Sequence, residues 1–168
     1  MNGVCCLLVG TWCFLLGRML NCAASAEEYA VGADLSFLHH AEASGVVFKE
    51  DGDPKPGLKI FKDHGYNWVR LRLFHTPDKL PNDLQYTIAA ALAAKQQGFK
   101  LLLNFHYSDT WADPQKQFIP RAWEHLPREE LAEQVFEYTR DSIVAFREAG
   151  AMPDMVHVGN EVIGGMLW

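Results

Sequence analysis

Two short stretches of the chain alternate apolar and polar residues with a period of two. In Trp68-Val69-Arg70-Leu71-Arg72-Leu73-Phe74 the alternation sends Val69, Leu71 and Leu73 to one face and Trp68, Arg70, Arg72 and Phe74 to the other. In Leu101-Leu102-Leu103-Asn104-Phe105-His106, Asn104 and His106 share the face opposite Phe105. Both stretches read as strands. Elsewhere the period is helical. Residues 83–97 carry Leu84, Ile88, Ala91 and Lys95 on one stripe, with Asn82 as the expected N-cap and Gln85 three residues on, a capping-box pattern. Residues 129–149 place Leu131, Val135, Tyr138 and Phe146 on a similar stripe. This second helix begins with acidic residues and ends near Gly150, and Pro153 prevents its continuation.

The order of these elements sets the fold class. A helix ending in glycine is followed within a few residues by a β-rich run at Gly65, at Gly98 and at Gly150, the last leading into Met155 to Gly159. Strands alternating with crossover helices predict an α/β protein with a parallel sheet. A sheet covered by helices on both faces reads as nearly continuous apolar residues, so two arginines on one strand face argue for a polar barrel interior near its mouth, where carboxylates could pair with them. Polar residues gather toward the carboxyl ends of the strands, which is where (β/α)₈ enzymes place their chemistry.

Composition narrows the class further. The 168 residues are 49% hydrophobic and 21% charged with a formal net charge of −6, which fits a globular domain and offers no basic stripe for nucleic acid. Residues 1–26 read as a signal peptide, because the apolar run Val4 to Leu16 is followed by the small-residue pattern Ala24-Ser25-Ala26. The run is too short for an ordinary membrane span, so no stable span is expected in the mature chain and the protein is expected to be secreted or periplasmic. Cys5, Cys6, Cys13 and Cys22 all fall in that segment, which leaves neither a disulfide framework nor a thiolate metal site after removal. There is no His-Glu-x-x-His, and Gly164-Gly165 lacks the Lys-Ser or Lys-Thr of a phosphate loop, so neither metal nor cofactor is expected.

Four ordered blocks carry a more specific signal. They are Gly32-Ala33-Asp34-Leu35-Ser36, then His64-Gly65-Tyr66-Asn67-Trp68-Val69-Arg70-Leu71-Arg72, then Leu102-Leu103-Asn104-Phe105-His106-Tyr107-Ser108-Asp109-Thr110-Trp111-Ala112-Asp113-Pro114. The last is Pro153-Asp154-Met155-Val156-His157-Val158-Gly159-Asn160-Glu161, followed by Gly164-Gly165-Met166-Leu167-Trp168. Together they resemble glycoside hydrolase family 53, the arabinogalactan endo-β-1,4-galactanases, from about Tyr29 to the last residue.

The resemblance implies a (β/α)₈ TIM barrel that cleaves β-1,4-galactan, the side chain of pectin and of type I arabinogalactan, with retention of configuration. It implies that Glu161, after Asn160 at the end of the fourth strand, is the catalytic acid/base. Arg70 and His106 are expected to line the same site, with Asp109 as a hydroxyl contact and Trp111 as an aromatic platform for a sugar ring. In a retaining mechanism one carboxylic acid protonates the glycosidic oxygen while a second carboxylate, about 5–5.5 Å away, attacks the anomeric carbon. Asn160 is suited to a sugar 2-hydroxyl, a contact that strengthens in the transition state. The family's nucleophile sits near the end of the seventh strand, whereas residues 27–168 reach only about the first four β/α units of a barrel of about 250 residues. The expectation is thus the amino-terminal half of a catalytic domain, inactive as it stands. Two other readings compete: another β-glycanase of the same clan, such as a mannanase or cellulase, and a non-catalytic carbohydrate-binding half-barrel.

Overall fold

The computed structural model describes residues 29–168. The expected signal peptide at 1–26, and with it every cysteine, lies outside the described residues. The chain forms β1 (Gly32–Asp34), α1 (Leu38–Ala43), a small antiparallel pair of β2 (Lys49–Glu50) and β3 (Asp53–Pro54), then α2 (Gly57–Asp63) and β4 (Trp68–Leu73). It continues through α3 (Leu84–Gln96), β5 (Lys100–Phe105), a 3₁₀ turn at Arg121–Trp123, α4 (Arg128–Glu148) and β6 (Met155–His157).

Strands β1, β4, β5 and β6 form one parallel sheet in that order. Each new strand joins the same edge, with a helix in every crossover. A doubly wound sheet reverses its strand order at a switch point, and this sheet does not reverse. The winding is that of the first four units of a (β/α) barrel.

The period of two decides which residues meet the helices. Val69, Leu71, Leu73, Leu101, Leu103 and Phe105 form one buried layer. Against it α3 presents Ala90, Ala91 and Ala94, small residues that let the helix lie close to the sheet, while α4 contributes Leu131 and Phe146. Tyr138 of α4 donates its hydroxyl to the Phe74 carbonyl at 3.2 Å, and Tyr107 shares a 2.7 Å hydrogen bond with Thr139, so this helix is tied to the strand exits as well as to the core. Gly65, Gly98 and Gly150 adopt φ of 81°, 74° and 75°, the left-handed conformation that lets each helix turn directly into the next strand.

The start of α3 differs from the sequence expectation. Its N-cap is Asp83, whose carboxylate accepts from the Tyr86 amide at 2.8 Å. Asn82 is instead buried and donates to the Ser36 carbonyl at 2.8 Å, joining the segment before α3 to the loop after β1. A tertiary partner has claimed the side chain that local pattern assigned to the cap. The fourth strand is also shorter than Met155 to Gly159, because Gly159 at φ 86° turns the chain away after His157. Among the described residues no helix is long and apolar enough to cross a membrane.

Candidate active site

The carboxyl ends of the four parallel strands bring together a polar cluster. Register places Asp34 beside Arg70, and Asn104 between Arg72 and His157, so the inward side chains of neighbouring strands stand side by side. Arg70 reaches both ways across the sheet. Its Nη1 donates to Asp34 Oδ2 at 2.7 Å and its Nη2 to Asn160 Oδ1 at 2.8 Å. Arg72 adds a bidentate contact to Asp34, with Nη1 to Oδ1 at 3.0 Å and Nη2 to Oδ2 at 2.9 Å. The planar guanidinium fork suits this geometry.

Asn160 is held from every side. Its Oδ1 also accepts from Asn104 Nδ2 at 3.1 Å, its Nδ2 donates to the Ala112 carbonyl at 2.7 Å, and its own carbonyl accepts from Gln117 Nε2 at 2.8 Å. Glycine precedes it for a steric reason: a Cβ on Gly159 would lie 2.7 Å from Val162 Cγ1, at a φ that side chains avoid. Glu161 follows with φ of 51°, exposed at the mouth of the strands; its carbonyl accepts from the Ile163 amide at 2.9 Å, while its carboxylate has no hydrogen-bond or ion-pair partner among the described residues. In the parallel sheet Tyr107 shares this conformation, at 49°, immediately after His106. Left-handed backbone at non-glycine residues is costly, and here it turns the chain at the ends of β5 and β6.

His106 is buried. Its Nδ1 accepts from the Ala112 amide at 3.0 Å, which leaves the proton on Nε2, and that atom has no hydrogen-bond partner among the described residues. Burial, with Arg72, Arg70 and His157 nearby, pushes its pKa down to about 3. The ring is therefore a neutral donor at any moderate pH. Trp111 stands edge-on to His106 at 5.7 Å between ring centroids, and the Arg72 guanidinium lies 4.1 Å from its ring centre. One face of the indole is thus occupied by a cation, a favourable contact for an electron-rich ring.

Of the residues singled out from sequence, Arg70, Asn160, His106, Trp111 and Glu161 belong to this cluster. Asp109 is engaged elsewhere. One of its oxygens accepts from the Thr76 amide at 2.9 Å and the other from the Arg121 amide at 3.0 Å, tying the loop after β4 to the 3₁₀ turn. It borders a cleft of about 340 Å³ with Asp78, Arg121 and Phe118. Two residues of the cluster were not assigned roles from sequence, Asp34 and Asn104. The paired arginines did signal a missing carboxylate, and Asp34 is that carboxylate. Its oxygens are fully taken by two arginines and Ser36, so it is unsuited to nucleophilic attack. Among the described residues, no group of three His, Cys, Asp or Glu side chains is placed to hold a metal ion.

Comparison with known proteins follows the same pattern. The model of glycosyl hydrolase family 53 matches residues 30–168. An arabinogalactan endo-β-1,4-galactanase of Cellvibrio japonicus is 39% identical over 150 residues, covering 88% of this chain and 40% of the relative. One from Humicola insolens is 41% identical over 140 residues, covering 82% and 41%. Among solved structures, a fungal β-1,4-galactanase superposes with a TM-score of 0.77 at 37% identity, over 82% of this chain and 41% of that one. The family 53 catalytic domain of Ignisphaera aggregans gives 0.73 at 39% identity, over 83% and 41%. The chain spans about two fifths of the length of these relatives.

Proposed function

Because the chain belongs to glycosyl hydrolase family 53, we propose that it forms the amino-terminal part of an endo-β-1,4-galactanase in which Glu161 is the catalytic acid/base. The observation that carries this reading is the 2.8 Å bond from Arg70 to Asn160, which fixes the Asn-Glu pair at the carboxyl end of a parallel sheet wound as a barrel. The galactan substrate is taken from the named activities of the relatives.

The proposed mechanism is a retaining double displacement. Glu161 protonates the departing glycosidic oxygen, a second carboxylate forms the glycosyl-enzyme, and Glu161 then takes a proton from the attacking water. Glu161 suits this work because it projects from a rigidly held neighbour and is not committed to another side chain. His106 Nε2 offers a hydrogen-bond donor to a sugar hydroxyl, and Asn160 Nδ2 keeps one N–H beyond its bond to Ala112. The nucleophile is proposed to come from the barrel region outside the four strands described, so residues 29–168 alone are expected to turn over no galactan. We also propose that residues 1–26 direct export and that the enzyme acts outside the cytoplasm on pectic galactan.

The test is Glu161→Gln in the complete barrel, assayed on galactan, mannan and carboxymethyl cellulose. The expected result is galactan cleavage by the parent and a loss of at least about 10³-fold in kcat in the variant with galactan binding retained. Undiminished turnover by the variant removes Glu161 from the mechanism, and a preference for mannan or cellulose transfers the chain to another β-glycanase activity.

A further inference from the structure

We propose that Asp34 is a positioning residue that holds Arg70 and Arg72 away from Glu161, keeping the acid free to carry its proton while Arg70 orients Asn160. The inference rests on Glu161 being the acid/base. It arises from an imbalance of charge at the strand ends. Two guanidinium groups stand next to one another on β4, and the field of Glu161 reaches Arg72. An unrestrained arginine beside an exposed carboxylate pairs with it, and such a pair favours the ionised carboxylate, which cannot donate a proton.

Asp34 removes that option by occupying both arginines. It takes Nη1 of Arg70 and both terminal nitrogens of Arg72, so each guanidinium is bonded to β1. The carboxylate is itself fixed. Ser36 donates its hydroxyl to Oδ1 at 2.6 Å and its amide to the same oxygen at 3.2 Å. The Ser36 hydroxyl in turn accepts from the Arg72 amide at 2.9 Å, so the clamp is locked to the strand whose side chains it holds. With Nη1 of Arg70 engaged, Nη2 is left aimed at Asn160. Arg72, similarly restrained, lies on the face of Trp111.

The charged and titratable groups of the cluster are Asp34 from β1, Arg70 and Arg72 from β4, neutral His106 just after β5, His157 from β6 and Glu161 after it, joined in the complete barrel by the proposed second carboxylate. Asp34 is the carboxylate bonded to both arginines among the described residues. Removing its charge deprives both arginines of the carboxylate they are paired with.

The experiment compares Asp34→Asn, Ser36→Ala and the double variant Asp34→Asn/Arg72→Met in the complete barrel, on soluble galacto-oligosaccharide, with full pH profiles and thermal melts. Asp34→Asn is expected to lower kcat about 100-fold with KM within about threefold. Its alkaline limb is expected to move to lower pH by roughly one unit, since bare arginines favour the ionised acid. The double variant restores the charge balance and returns the limb toward its parental position. Ser36→Ala keeps the charge, so it is expected to lose roughly tenfold in kcat with the limb unmoved. An unmoved limb in Asp34→Asn, or a loss of activity that only follows a lowered melting temperature, overturns the proposal. Should Asp34→Asn not fold, parental kcat in Ser36→Ala overturns it. Glu161→Gln run alongside separates the two readings: full activity there sinks the acid/base assignment whatever Asp34 does.

Discussion

The two faces of β4 and β5 are built from alternate residues of the same strands, yet they obey different rules. The face toward the helices is apolar and sealed, with Leu73, Leu101, Leu103 and Phe105 wholly buried. On the opposite face, Arg70, Arg72, Asn104 and His106 are polar, and several of their buried atoms, Arg72 Nε, Asn104 Oδ1 and His106 Nε2, have no partner among the described residues. Buried polar atoms normally find partners, so leaving three at one place is costly. A sealed face can be optimised for stability alone. The open face carries polar atoms for which the described residues supply no partner.

Truncating a side chain on each face should separate the two roles. The largest effect on stability is expected from Phe105→Ala, which removes a ring stacked on Tyr107 at 5.3 Å and edge-on to Tyr138 at 6.0 Å. Chemical denaturation is expected to show a loss of about 4 kcal/mol. A loss under about 1 kcal/mol would mean that the sealed layer repacks freely. Asp109→Ala tests a residue read from sequence as a sugar contact but found bonded to two backbone amides. The expected outcome is about 2–3 kcal/mol of destabilisation from the orphaned amides. If instead stability holds and only KM rises, Asp109 belongs with the open face after all.

His106 gives the open face a pH signature. Its folded pKa of about 3 lies below the ordinary value of 6.5. The unfolded chain therefore takes up a proton below 6.5 while the folded one does not. Stability from this group is complete above pH 6.5 and declines as pH falls toward 3, by about 2 kcal/mol at pH 5. His106→Asn keeps an acceptor for the Ala112 amide but does not titrate there. Urea denaturation at pH 7 and pH 5 should show a steeper loss in the parent than in the variant, and parallel losses would mean that His106 is protonated in the fold.

How much of this could be read without coordinates depends on whether the determinant was local. The strand faces followed from the period of two, and the three helix-terminating glycines from the left-handed turn each junction needs. The parallel sheet then followed from the order of elements, and the barrel from the two arginines on one strand face and from the resemblance. The cluster of Arg70, His106, Trp111, Asn160 and Glu161 came from block resemblance, and strand alternation independently placed Arg70 and His106 facing inward. Asp34 and Asn104 were quoted but given no role, because their partners lie 36 and 56 residues away in sequence, and pairing over such spans is set by strand register. The hairpin of β2 and β3 was missed although it is local, turning at Asp51-Gly52. It is a minimal pair of two-residue strands, closed by local contacts such as the Lys55 to Glu50 ion pair, and is too short to carry a periodic signal.

The smallest effect tests the one cap that sequence misassigned. Asn82 and Asp83 are adjacent and both are ordinary capping residues, so local preference does not choose between them. Tertiary structure chooses, since the Asn82 amide is drawn to the Ser36 carbonyl next to the arginine clamp, leaving Asp83 to accept from Tyr86. Asp83→Ala is therefore expected to cost about 1 kcal/mol in chemical denaturation and to leave kcat unchanged. Asn82→Ala should instead disturb the loop that carries Ser36, with an effect on kcat out of proportion to its effect on stability. If the two variants lose stability alike and neither touches kcat, then the segment before α3 serves the sealed face alone. The open face would in that case be positioned from β1 and β4 without help from the helix layer.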